Sequence, residues 1–155
     1  MKGTPHQPTR TEDALDRVRA VYAELAQRPI DRSWRATSRC CRFQLTGEVP
    51  NLMLGEAYVA LQSWKSSGRK AVALELSSGP ICPFLNGETG LCRIYDGRPF
   101  ACRTHFCGPA GGPYPRKQVA DLISTLEGID KELGGEGVGT SLPVAIRQAG
   151  TQFRC

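Results

Sequence analysis

The residues in this chain best equipped for chemistry are its seven cysteines. Cys40 and Cys41 are adjacent, Cys82, Cys92, Cys102 and Cys107 follow, and Cys155 is the terminal residue. His105 lies between Cys102 and Cys107. Thiolates are soft ligands that select zinc and iron–sulfur clusters. Zinc takes four tetrahedral ligands from cysteine and histidine, and a cluster usually takes four cysteines. Candidate ligands are therefore Cys40, Cys41, Cys82, Cys92, Cys102, Cys107 and His105, and the implied cofactor is zinc or iron, mononuclear or as an iron–sulfur cluster. The odd count argues against a disulfide framework. The first residues, MKGTPHQPTR, are polar and lack the apolar core of a signal peptide. The expected compartment is the cytoplasm, where thiols stay reduced.

The spacing is neither the C-x2-C pairing of a zinc finger nor the tight run of a bacterial ferredoxin. A cysteine can also be a small, inert core residue, but these six sit in turn-rich sequence rather than in periodic apolar segments. Neighbouring residues on an extended chain point opposite ways. One of Cys40 and Cys41 is thus expected to ligate while the other packs or faces a second metal. His105 can ligate or hydrogen-bond to a ligand. Arg93, Arg98 and Arg103 flank the thiols, and their charge would favour the thiolate form. Cys155, in a terminal tail, reads as a bystander.

Two other chemistries compete with simple metal binding. A metal with an open position could activate water or substrate, with His105, Glu88 or Asp96 as acid or base. None of these stands in a recognisable catalytic motif, so a binding protein is favoured over a metal-dependent enzyme or an accessory subunit of one. Thiol redox chemistry at Cys40-Cys41 or at Cys102 with Cys107 is the other alternative, but C-x4-C is not the usual C-x-x-C redox spacing.

Helices must position these residues. Leu15, Val18, Tyr22 and Leu25 make one stripe of a helix over about 12–28, opened by a Thr9/Glu12 capping box and ended at Arg28-Pro29. A second helix is predicted from near Pro50 to Gly68, with Leu54, Ala57, Tyr58, Leu61 and Trp64 on one face. Val72, Leu74 and Leu76 alternate with Ala73 and Glu75, the mark of a half-buried strand. From Ser77 to Pro115 glycine and proline abound, and Asn86-Gly87 and Asp96-Gly97 mark tight turns. Too few aliphatic residues lie there to fix the segment by packing, so a metal is expected to hold it. A third helix is predicted over 115–133, ended by Gly134-Gly135, and Ser141 could cap a short one over 142–148.

The predicted fold is a small α-rich α+β domain, about three helices around a metal-stabilised, cysteine-rich irregular loop region. The 155 residues suit a single domain, with the cysteine cluster over about 33–107, a helical part over 115–148 and a flexible start over 1–10. A net charge of +5 is spread along the chain rather than gathered in a basic stripe. It favours a solvated surface over a nucleic-acid face. No apolar run is long enough to span a bilayer. The expected partner is a metal ion; a protein partner is left open.

The residues also carry a family likeness. Cys82-Pro83-Phe84-Leu85, then Gly90-Leu91-Cys92-Arg93-Ile94-Tyr95, then Arg98-Pro99-Phe100-Ala101-Cys102-Arg103 resemble the zinc- or iron-chelating CxxCxxCC (YkgJ-type) cysteine-cluster family. Cys40-Cys41-Arg42 is similar to the end of that family's CxxCxxCC block. The first two cysteines of the block would fall at Trp34 and Thr37, so the resemblance implies one reduced site rather than the full complement. The ligands it implies are one of Cys40 and Cys41 with Cys82, Cys92 and Cys102; Cys107 or His105 would compensate for those lost. A similar cysteine block accompanies flagellin lysine methylases. Methyl transfer is not carried over, because no Gly-rich strand–turn–helix signature is visible.

Overall fold

A computed structural model describes residues 9–29, 41–42, 47–68, 81–105 and 114–152. Among the described residues the regular structure is five helices and a two-stranded sheet. In chain order these are α1 (Arg10–Gln27), β1 (Asn51–Leu52), α2 (Leu54–Ser66), α3 (Phe100–Thr104), α4 (Arg116–Glu132), β2 (Thr140–Ser141) and α5 (Leu142–Gln152). A 3-10 turn over Tyr95–Gly97 precedes α3.

Helix α1 forms as its stripe requires. Thr9 Oγ1 accepts from the Glu12 N–H at 3.2 Å, and the Thr9 N–H donates to Glu12 Oε2 at 2.7 Å. Two of the N–H groups that a helix start leaves over are thereby satisfied. Leu15, Val18, Tyr22 and Leu25 are buried, as their spacing predicts. Helix α4 buries Val119, Leu122, Leu126 and Ile129 on one face.

Helix α2 is the centre of the fold. It packs against α1, α4 and α5, and every residue from Gly55 to Leu61 is buried. Its first two turns are thus covered on all sides and, Glu56 apart, carry no charge, which the single predicted face did not convey. At Gly55 a Cβ would come within 3.0 Å of Val18 and 3.3 Å of Ile129, so glycine lets three helices close on one point.

This helix starts later than the sequence suggests. Pro50 to Leu52 are extended: Asn51 and Leu52 pair antiparallel with Ser141 and Thr140, and Pro50 O accepts from the Leu142 N–H at 2.9 Å. Its first donors are then met by side chains. Met53 N–H donates to Glu56 Oε2 at 2.9 Å and Leu54 N–H to Asp130 Oδ1 at 2.7 Å. Asp130 is 3 % exposed, and its other oxygen accepts from the Gly137 N–H at 2.8 Å. One carboxylate on α4 thus ties the start of α2 to the turn after α4. Asp130→Ala is expected to strand two half-buried N–H groups and to cost about 1–3 kcal/mol, read as a lower urea midpoint at unchanged slope.

Helix α5 begins at Leu142 with Pro143 in its first turn, as expected. It runs on to Gln152, beyond the predicted 148, and Ile146 and Ala149 are fully buried along it. The predicted strand over 72–76 lies outside the described residues.

The segment 81–105 corrects the expectation that packing cannot hold it. Phe84, Ile94 and Pro99 are each under 2 % exposed, and Leu85 and Phe100 are buried beside them. The Phe84 ring sits 5.7 Å from the Trp64 ring at 59°, within the range of favourable tilted aromatic pairs. A count of aliphatic residues overlooked two phenylalanines and a proline, which bury large areas from a few turns.

Candidate metal centre

Two short antiparallel bridges place three of the cysteines. The first pairs Arg42 with Ile81. Beside it, the Cys82 N–H donates to Cys41 O at 2.7 Å. Cys41 itself lies in a 3-10 turn, and this bond sets its backbone beside that of Cys82. Cys82 is 8 % exposed and Cys41 is half-buried against the core.

From Cys82 the chain turns at once. Leu85 N–H donates to Cys82 O at 3.1 Å, closing a turn in which Pro83 holds the second position. The second bridge pairs Leu85 with Cys92, flanked by Arg93 N–H to Phe84 O at 2.8 Å and Asn86 N–H to Leu91 O at 2.9 Å. Between these strands the Asn86 side chain accepts from the N–H groups of Glu88 and Thr89. Gly90 closes the loop at φ 68°, the left-handed region that glycine tolerates. Asn86-Gly87 therefore marks a turn, as predicted. Asp96-Gly97 marks another: Gly97 N–H donates to Ile94 O at 2.8 Å, and a Cβ on Gly97 would lie 2.6 Å from Ser63 Cβ.

Cys102 rides on α3, half-buried, and His105 follows at the end of that helix. Two elements fix α3. Phe100 N–H donates to Glu56 Oε1 at 2.7 Å, and Tyr22 Oη donates to the same oxygen at 3.2 Å. Arg103 stacks over the Tyr22 ring at 4.1 Å and donates to Arg98 O at 2.7 Å and Asp96 O at 2.5 Å. Glu56 is only 3 % exposed. Burial raises its pKa, while the N–H groups of Met53 and Phe100, the Tyr22 hydroxyl and Arg103 pull it back. Burial likewise lowers the Arg103 pKa, against the pull of Tyr22, Asp96 and the Cys102 thiol.

The arginines that flank the thiols in sequence thus have separate tasks. The charge of Arg103 couples to the Cys102 thiol. Arg98 stacks on Tyr95 at 3.8 Å, and Arg93 stands 5.9 Å from the Trp64 ring centroid. Glu56 was missed in the sequence because an acid three residues into a helix reads as a solvated capping residue. Its place between Leu54 and Ala57, within an apolar run, was the available signal.

The structure therefore brings Cys41 and Cys82 together, sets Cys92 on the adjoining hairpin and puts Cys102 and His105 on α3. Among the described residues no three cysteines, histidines, aspartates or glutamates form one metal-holding group. Cys40, Cys107 and Cys155 lie outside the described residues. Glu88 is exposed on the 86–90 turn and Asp96 is exposed on the 3-10 turn.

Comparison with protein families decides the kinship. Residues 35–120 match the model of the CxxCxxCC family, described as "Putative zinc- or iron-chelating domain". The chain belongs to this family. The matched span takes in the 41–42 and 81–105 segments, all of α2 and the start of α4, so the family unit includes the helix on which the cysteine-bearing turns pack. No curated protein and no solved structure matches the chain. Among the described residues no helix is long and apolar enough to cross a membrane.

Proposed function

We propose that this chain holds zinc or iron, as a single ion or an iron–sulfur cluster, through Cys82, Cys92, Cys102 and one of Cys40 and Cys41. His105 and Cys107 are the candidates for a remaining position. The observation that carries this reading is the backbone bond that sets Cys41 beside Cys82. Two soft donors distant in sequence meet at the edge of the core, within the span matched to a metal-chelating family. The donor chemistry fits: thiolates suit zinc and iron–sulfur centres, and Arg103 beside Cys102 offsets the charge of a thiolate-rich site.

When bound, the metal would tie the 41–42 bridge, the 84–93 hairpin and α3 to one point. The helices around α2 already have a core of their own, so the role is one of metal handling or sensing, or of local stiffening, in a cytoplasmic setting. Anaerobic purification followed by elemental analysis and an optical spectrum tests this. Stoichiometric zinc in a colourless protein, or iron and sulfide with broad visible absorption, is the expected result. A protein that arrives metal-free and takes up neither zinc nor iron would overturn it.

A further inference from the structure

The Cys41–Cys82 pair has a second chemistry available. Residues joined by a backbone N–H···O bond between neighbouring segments have Cα atoms about 5.5 Å apart. Disulfides usually span Cα separations of roughly 4.4–6.8 Å. The 2.7 Å bond between the Cys41 and Cys82 backbones therefore holds the two residues within bridging range. Cys41 is only half-buried, and exposed disulfides are the easily reduced ones.

We propose that Cys41 and Cys82 form a reversible disulfide on exposure to a peroxide, and that this bond and metal ligation by the same thiols exclude each other. The second clause rests on the metal-binding reading above; the first does not. Cys41, the more exposed partner, meets the oxidant. Its sulfur attacks one peroxide oxygen of hydrogen peroxide, the O–O bond breaks, and a sulfenic acid and water form. The Cys82 sulfur then attacks the Cys41 sulfur, giving the disulfide and a second water. Two electrons pass from the thiols to the peroxide in all. Cys82, being 8 % exposed, is placed to resolve the sulfenic acid rather than to meet a bulky oxidant first. Reduction by a dithiol returns both thiols. Where one of them holds a metal, oxidation removes that ligand.

The test uses the full chain as purified, and again after chelator treatment, each exposed to hydrogen peroxide and then alkylated. Trypsin leaves Cys40 with Cys41 and Cys82 with Cys92 on shared peptides, so the linked pair is assigned by fragment-ion sequencing. The expected result is a Cys41–Cys82 link that dithiothreitol removes, that Cys40→Ser retains and that Cys41→Ser abolishes. Far-UV circular dichroism on each variant confirms the helices. A link that survives Cys41→Ser, or Cys82 recovered alkylated after oxidation of wild-type protein, would overturn the proposal. In metal-loaded protein, a colorimetric chelator should register release in step with the disulfide, and disulfide formation with metal retained would overturn the exclusion. A protein that never carried metal but forms the link would sink the metal reading and leave the disulfide standing.

Discussion

Cys82→Ser is expected to lower metal affinity by on the order of a hundredfold or more while leaving the helical content unchanged. Structural zinc sites with four ligands bind with apparent free energies of roughly 10–16 kcal/mol. One soft ligand of four replaced by a hydroxyl then removes about 3 kcal/mol. The fold should bear the change. Cys82 sits at the rim of the core, and its backbone groups, which hold Cys41 and Leu85 in place, are untouched by the substitution. Competition against a chromophoric chelator measures the affinity, with Cys155→Ser as the unaffected control. Wild-type affinity in Cys82→Ser would remove Cys82 from the ligand set.

A larger effect on stability is expected at Phe84. Its side chain is 1 % exposed and packs at a tilt against Trp64 of α2. Phe84→Ala should cost about 3–5 kcal/mol through lost burial and a cavity. For a chain of this length that lowers the melting temperature by roughly 10 °C. Phe84→Leu should recover much of the loss, because volume matters more than aromaticity there. Limited proteolysis should cut first within 81–93, since Phe84 is the anchor of both the Cys82 turn and the hairpin. A loss below about 1 kcal/mol would show that the segment is held by other means.

These two residues show what the sequence discloses and what it hides. Cysteine is legible by type alone, so the candidate ligands could be named without coordinates. Their proximity was hidden, because the bond that sets Cys41 beside Cys82 joins segments far apart in the chain. Phe84 was passed over because a turn-rich segment has no period against which to read a core position. Helices α1 and α4 were legible to within two residues, since each buries one stripe. The sheet was not, because two-residue strands such as Asn51-Leu52 are too short to alternate. Glu56 and Asp130 were invisible for a different reason. Each is a buried acid whose partners, apart from Met53 for Glu56, are N–H and O–H groups elsewhere in the chain, at Phe100, Tyr22, Leu54 and Gly137. No local pattern announces such a role.

The burial of α2 on every side carries a consequence for how the chain acquires its fold. As the protein is synthesised, α1 and α2 are made before α5 and can cover one another. The side of α2 that meets α5 has nothing to rest on until residues 142–152 are made, and β1 has no strand to pair with until Thr140 and Ser141 arrive. Until then, the most apolar of the described helices is half bare. Contacts of such long sequence separation form slowly and leave sticky intermediates. The chain depends on its C-terminal helix as a closing piece, and a nascent chain stalled before that helix would be a substrate for chaperones rather than a smaller working protein.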